Sequence, residues 1–154
     1  MQLAEFLDCD AIKAGFAGGN KRSLLKQLCE LAGQRLGLEP GAILAVLNER
    51  EQLGSTGFGQ GVAIPHAKME GLTRIYALFV RLAEPVDYKA IDGRPVDLVF
   101  LLLSPPDAGA EHLKALAAIS RVTRDAATLE RLRGARGRDA VAAVLIGADE
   151  RDAA

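Results

Sequence analysis

Tryptophan is absent from the chain, and aromatic residues make up only 5% of it. A core without many large rings has to be filled by Leu, Ile, Val and Ala, and a hydrophobic content of 49% supplies them. An excess of either charge is missing too: 19 Lys+Arg against 20 Asp+Glu leave a formal charge of -1. A dedicated nucleic-acid binder would be clearly basic, so no nucleic-acid partner is expected. The apolar content also excludes disorder. No run approaches the roughly 18 unbroken apolar residues that suggest a membrane span, so no membrane insertion is expected. The start, MQLAEFLDCD, lacks the basic-then-apolar pattern of a secretory signal. Cysteine is scarce: Cys9 and Cys29 are far apart and match no metal or redox spacing. They read as buried thiols in a reducing compartment, which makes the cytoplasm the expected location.

What is present is enough for one domain, expected over residues 3–147, with a frayed polar tail over 148–154. Leu24, Leu25, Leu28, Leu31, Ala32 and Leu36 recur at helical spacing between a capping Asn20 and a terminating Gly37. Pro40 opens a second helix that ends before Gly54, with Ile43, Val46 and Leu47 as its inner stripe. A glycine-rich loop, GSTGFGQG, then leads into VAIPHAK. Two apolar runs follow, IYALFVRL from Ile75 and VDLVFLLL from Val96, and their unbroken character fits strands covered on both faces. Helical pattern returns from Gly109 through Thr123, with Leu113, Leu116, Ala117 and Ser120 on one side. Shorter helices are expected over Ala126 to Arg133 and Arg138 to Ile146. Helices first, strands in the middle and helices last suggest an α/β fold: a three-layer sandwich with a central mixed β-sheet flanked by helices.

Three residues stand out chemically. His66 follows Pro65 at the mouth of the glycine loop, where proline stiffens the chain and glycines leave backbone N–H groups open to an anion. His112 falls in the first turn of a helix beyond the second long strand, where the helix dipole favours a neutral imidazole. Arg50 lies three residues after Leu47 and four after Val46, toward the apolar stripe, so it either snorkels outward or reaches a specific anion. Spacing alone leaves a structural histidine, a surface histidine and a helix-terminal arginine open as readings. Sharper motifs are missing. The glycine spacing is not GxGxxG, and GxxxxGK[ST], HExxH and GxSxG are all absent. Arg131, Arg133, Arg136 and Arg138 lack interleaved aromatics and read as a solvated face.

The run NEREQLGSTGFGQGVAIPHAK, from Asn48 to Lys68, is followed by PVDLVFLLLSP and then EHLKALAAISR. In order and spacing these segments resemble the enzyme IIA family of the fructose/mannitol type (type 2) in the bacterial phosphoenolpyruvate-dependent phosphotransferase system, and its nitrogen-regulatory branch most of all. The resemblance spans nearly the whole chain. One departure is Ala67, where many relatives carry glycine.

The resemblance implies a phosphocarrier. His66 matches the phosphoryl-accepting histidine, modified on Nε2, and His112 and Arg50 match the residues that line its pocket. Ser55, Thr56 and Gly61 are expected to help bind the phosphoryl group. The donor implied is a phosphorylated HPr-like histidine carrier, so no metal, nucleotide or other cofactor is required. Such a protein is a phosphotransferase-system component, regulatory rather than metabolic. A chain of 154 residues leaves no room for a fused IIB or membrane domain, so the expected role is nitrogen- and potassium-linked signalling by phosphorylation state. Its expected targets are regulatory proteins such as potassium-transport regulators. The alternative within the family is a sugar-specific IIA that passes phosphate to a separate IIB. Rivals from other classes are a small metal-dependent hydrolase using His66, His112 and Glu111, and a binding module whose histidines are bystanders.

Overall fold

A computed structural model describes residues 1–153. Six strands and five α-helices alternate unevenly along the chain: β1 (Lys13–Phe16), α1 (Lys21–Leu36), α2 (Pro40–Gln52), β2 (Gly57–Gly59), β3 (Val62–Ala63), β4 (His66–Lys68), β5 (Tyr76–Val86), β6 (Val96–Ser104), α3 (Gly109–Thr123), α4 (Ala126–Gly134) and α5 (Arg138–Ala153). Two short 3-10 turns, Leu3–Glu5 and Cys9–Ala11, precede β1. The strands form one mixed open sheet in the order β1-β5-β6-β3-β2, with β4 pairing β6 beyond β3. The α/β class, the mixed sheet and its flanking helices agree with the sequence reading.

The long central strands are the reason for three layers. Side chains alternate across a strand, so β6 sends Leu98, Phe100 and Leu102 to one face and Val99, Leu101 and Leu103 to the other. Both faces are dry. One packs against Ile119 of α3, Leu132 of α4 and Leu145 of α5. The other packs against Leu24 and Leu28 of α1 and Ile43 and Leu47 of α2. Each of these large side chains contributes roughly 1.5–3 kcal/mol on burial. The few aromatics are concentrated here: Phe79 and Phe100 meet across β5 and β6 with ring centroids 4.8 Å apart.

Local chemistry sets the helix ends. Asn20 accepts from the Ser23 N–H at 2.9 Å while the Ser23 hydroxyl accepts from the Asn20 N–H at 3.0 Å, which satisfies two of the free donors at the start of α1. Gly37 closes α1 at φ 69°, a left-handed conformation that costs glycine nothing. Pro40 stands in the first turn of α2, as its spacing predicts.

The structure corrects four expectations. β1 lies before the first helix, on the sheet edge parallel to β5; its four residues KAGF are exposed or half-buried and carry no apolar signal. The glycine loop is itself a short antiparallel hairpin, β2–β3, not a loop leading to a strand. Gly57 is needed there because a Cβ would lie 2.9 Å from the Cα of Ala90. In α3 the inner face is Ala115, Ala118, Ile119 and Val122, while Leu113 is exposed and Leu116 only half-buried. Small alanines let the helix approach the sheet closely, and the apolar run LKALAAI is too continuous to reveal which side turns inward. Lastly, residues 148–153 are not a frayed tail but the end of α5. Ala148 and Asp149 are buried, and the Asp149 carboxylate accepts the Leu3 N–H, tying the two ends of the chain together. Ala154 lies outside the described residues. Cys29 is buried, which pushes its thiol up to about 12, and Cys9 is half-buried; both are free.

Candidate functional site

β3 and β4 run end to end along the same edge of β6, and the break between them creates the site. Val62 and Ala63 pair with Leu98 and Val99, then Ile64 and Pro65 leave the ladder, and His66 re-enters opposite Leu102. Proline has no N–H to give, so the strand cannot be continuous at that point. Its carbonyl still accepts from the Leu102 N–H at 3.0 Å, which keeps the two halves in register. The residue that follows the break is thereby held rigidly at the sheet edge.

His66 is buried, and its Nδ1 lies 2.6 Å from the carbonyl oxygen of Ile64. A carbonyl can only accept, so Nδ1 carries the proton and Nε2 of the neutral ring keeps a bare lone pair. Burial pushes the His66 pKa below the ordinary histidine value of 6.5, and the charge of Arg50 acts in the same direction. The ring is therefore neutral, with its nucleophilic nitrogen free, near neutral pH.

His112 enters from α3, with its ring centroid 5.6 Å from that of His66. Its Nδ1 is 2.6 Å from the hydroxyl of Ser104, the last residue of β6. Burial lowers its pKa as well, helped by the nearby His66 and Lys68. Arg50, in the last turn of α2, completes the group; its guanidinium donates to the Gly54 carbonyl at 2.9 Å. Arg50, His66, Lys68 and His112, with Val46, Glu49 and Leu53, line an open pocket of about 390 Å³. Two permanent cations against one carboxylate make it a receptor for an anion. A larger depression of about 550 Å³ beside α1 brings together no histidine or arginine.

The other three expected residues are not brought to the pocket. Thr56 is fully buried, and its hydroxyl is engaged by the Glu51 carboxylate and, at 3.0 Å, by the Tyr88 hydroxyl. Ser55 accepts from the Gly57 N–H at 3.1 Å and points toward the Tyr88 carbonyl. Gly61 lies at the far end of the edge, where its carbonyl accepts from the Asp97 and Leu98 N–H groups. Four residues of strand separate Leu98 from Leu102, about 13 Å at the usual rise. Glycine is required at 61 for a different reason: a Cβ would meet Arg133 Nη2 at 2.4 Å and Asp97 Oδ1 at 2.8 Å. These residues build the hairpin and its anchor, and none of the three lines the pocket.

Sequence reasoning overlooked Ser104, Lys68 and Glu51. Lys68 had a usable signal, since it stands two residues after His66 and strand alternation returns it to the same face. Ser104 had none, because its partner comes from another element. Glu51 joins the site's support: it pairs with Lys21 at 2.9 Å and accepts the Thr56 N–H at 3.2 Å. Among the described residues no three His, Cys, Asp or Glu side chains gather as a metal site, and Glu111 pairs with Lys114. No described helix is long and apolar enough to cross a membrane. Among the described residues, exposed Leu53 stands on the pocket wall, and the ring of exposed Phe58 lies 6.5 Å from that of His66.

Comparison with known proteins finds the same arrangement of sequence. A family model described as "Phosphoenolpyruvate-dependent sugar phosphotransferase system, EIIA 2" matches residues 5–147. The chain is 43% identical over 145 residues to a nitrogen regulatory protein of Bradyrhizobium diazoefficiens, covering 94% of this chain and 95% of that protein. It is 38% identical over 136 residues to a nitrogen regulatory protein of Escherichia coli, covering 88% and 83%. Among solved structures, the nitrogen regulatory protein IIA-Ntr of Neisseria meningitidis superposes with a TM-score of 0.87 at 35% identity, covering 93% of this chain and 98% of that one.

Proposed function

The chain belongs to the phosphoenolpyruvate-dependent sugar phosphotransferase system EIIA 2 family, and on that premise we propose that it is a phosphohistidine relay whose phosphorylation state is read by other proteins. The observation that carries this reading is the His66 tautomer. The Ile64 carbonyl holds the proton on Nδ1, so Nε2 is the nucleophile and lines an anion-receptive pocket.

In the proposed step, the lone pair of His66 Nε2 attacks phosphorus on a phosphorylated HPr-like carrier. The new N–P bond forms as the bond to the carrier's imidazole breaks, and that imidazole leaves with the electron pair. No proton has to move: the Nδ1–H stays on the Ile64 carbonyl, which stabilises the positive charge the ring acquires. Phosphoryl transfer needs in-line placement and stabilisation of the equatorial oxygens. Arg50, Lys68 and His112 are placed to supply that as donors. Exposed Leu53 on the pocket wall and exposed Phe58 near His66 suit a protein donor, since apolar side chains left open to solvent are covered when a partner docks.

The regulatory role rests on the near end-to-end similarity to proteins named for nitrogen regulation. We place regulatory targets, potassium-transport regulators among them, at the end of the relay, and a sugar-specific IIB as the alternative acceptor. Phosphorylation adds about two negative charges to a chain whose formal net charge is -1, a large change for a partner to detect.

Incubation with phosphoenolpyruvate, the general phosphotransferase enzyme and its histidine carrier tests the reading. An acid-labile, base-stable phosphate is expected on the wild type and none on His66→Ala. Labelling that survives the substitution moves the acceptor elsewhere.

A further inference from the structure

The geometry points to Ser104 as a positioning residue that sets the tautomer and ring orientation of His112, making His112 a hydrogen-bond donor to the phosphoryl group carried by its neighbour. The inference rests on the reading of His66 as the phosphoryl acceptor. Ser104 is fully buried at the end of β6, and among the described residues the single partner of its hydroxyl is His112 Nδ1 at 2.6 Å. Its carbonyl is occupied by the Met69 N–H at 2.7 Å, so the strand end is fixed from both sides.

A hydroxyl has one proton to place. If His112 Nδ1 were the donor, the Ser104 proton would be left buried without an acceptor, which native structures avoid. With Ser104 donating, both groups of the buried contact are satisfied: Nδ1 accepts, and the ring proton sits on Nε2. The two imidazoles then hold opposite tautomers across a centroid distance of 5.6 Å. His66 offers a lone pair from Nε2 and His112 offers an N–H from Nε2. That is the pairing a phosphoryl group on His66 requires, since its oxygens accept hydrogen bonds and would be repelled by a second lone pair.

The consequence is specific to a side-chain partner. The Ile64 carbonyl that sets His66 survives any substitution, whereas the group that sets His112 is removed by Ser104→Ala. Loss of the hydroxyl leaves Nδ1 without a donor, so both tautomers and more than one ring orientation are populated. Transfer then slows by the fraction of molecules that hold the competent form, about tenfold if one molecule in ten does so.

The test is long-range proton–nitrogen correlation spectroscopy of the histidine rings in unphosphorylated, nitrogen-labelled protein above neutral pH, paired with single-turnover transfer from the phosphorylated carrier. The wild type is expected to show a pyrrole-like Nε2 and a pyridine-like Nδ1 on His112, and the reverse on His66. In Ser104→Ala the His112 nitrogens should move toward averaged shifts while the His66 pattern persists, which reports an intact fold. Ser104→Thr, which keeps a hydroxyl, should return both the spectrum and the rate toward wild type. A pyrrole-like Nδ1 on wild-type His112, or an unchanged His112 spectrum and rate in Ser104→Ala, overturns the inference. The tautomer is read without phosphorylation, so failure of His66 to accept phosphate would be seen separately in the transfer assay.

Discussion

His66 and His112 sit side by side, yet the fold holds them by different means. His66 is fixed by its own strand: the carbonyl two residues back in the chain takes its Nδ1–H. His112 is fixed across the fold, by a serine hydroxyl at the end of the strand that precedes its helix. A backbone partner is supplied by chain geometry and is indifferent to which side chain occupies position 64. A side-chain partner depends on one residue and is lost with it. The contact that holds His66 is thus protected from point substitution in a way that the one holding His112 is not. The same contrast holds one layer out, where Arg50 rests on a backbone carbonyl and Thr56 on the side chains of Glu51 and Tyr88.

The largest expected effect breaks the comparison outright. His66→Gln should abolish carrier-dependent labelling, because a glutamine amide nitrogen has no lone pair to give. His112→Gln, which keeps a donor, should retain measurable transfer in the same assay. Equal loss in both would mean that His112 does more than donate.

Arg50→Ala and His112→Ala come next, each slowing single-turnover transfer by about 10²–10³-fold, the usual effect of removing one donor from a developing charge. Wild-type rates in both variants would remove the charge-stabilising role. Thr56→Val should act on stability instead. It leaves Glu51 and Tyr88 short of a buried partner, at a cost of about 1–3 kcal/mol in urea denaturation. Its transfer rate should fall far less than that of Arg50→Ala, and a rate as slow as the Arg50 variant would return Thr56 to the pocket.

The smallest effect is on acid stability. Burial lowers both histidine pKa values from 6.5, so the unfolded chain binds protons at these positions that the native chain refuses. Stability from these two sites is whole above 6.5 and declines as pH falls from there toward the native pKa values. Urea midpoints compared at about pH 7.5 and about pH 5.5 should drop on acidification, and the drop should shrink in a His66→Ala, His112→Ala double variant. An unchanged drop would assign it to other groups.

Much of this was legible in the linear chain. Asn20 with Ser23, Gly37 and Pro40 mark helix ends through chemistry that reaches only a few residues, and the structure places those ends accordingly. The runs at Ile75 and Val96 announce strands with two dry faces because apolar side chains on both sides of a strand need cover on both sides. β1 was not legible: its sequence has no pattern, and it is a strand because β5 offers an unpaired edge. The face of α3 was misread because alanine packs or tolerates solvent equally well, so only the distance to the sheet decides.

The site divides along the same line. His66, His112 and Arg50 stand out in the sequence by their setting and by the family resemblance, and the structure brings them to one pocket. The placement of Ser55, Thr56 and Gly61 depends on where a hairpin turns, which its contacts with Tyr88, Ala90 and Asp97 set. The chain by itself determined its helix ends, its two long strands and its family, because each is encoded within a short stretch. Only the tertiary structure decided what the Nδ1 of each ring faces. For His66 that is a carbonyl held at the break in the sheet edge, and for His112 a hydroxyl brought beside α3 by the end of β6, a contact that no local stretch of sequence spells out.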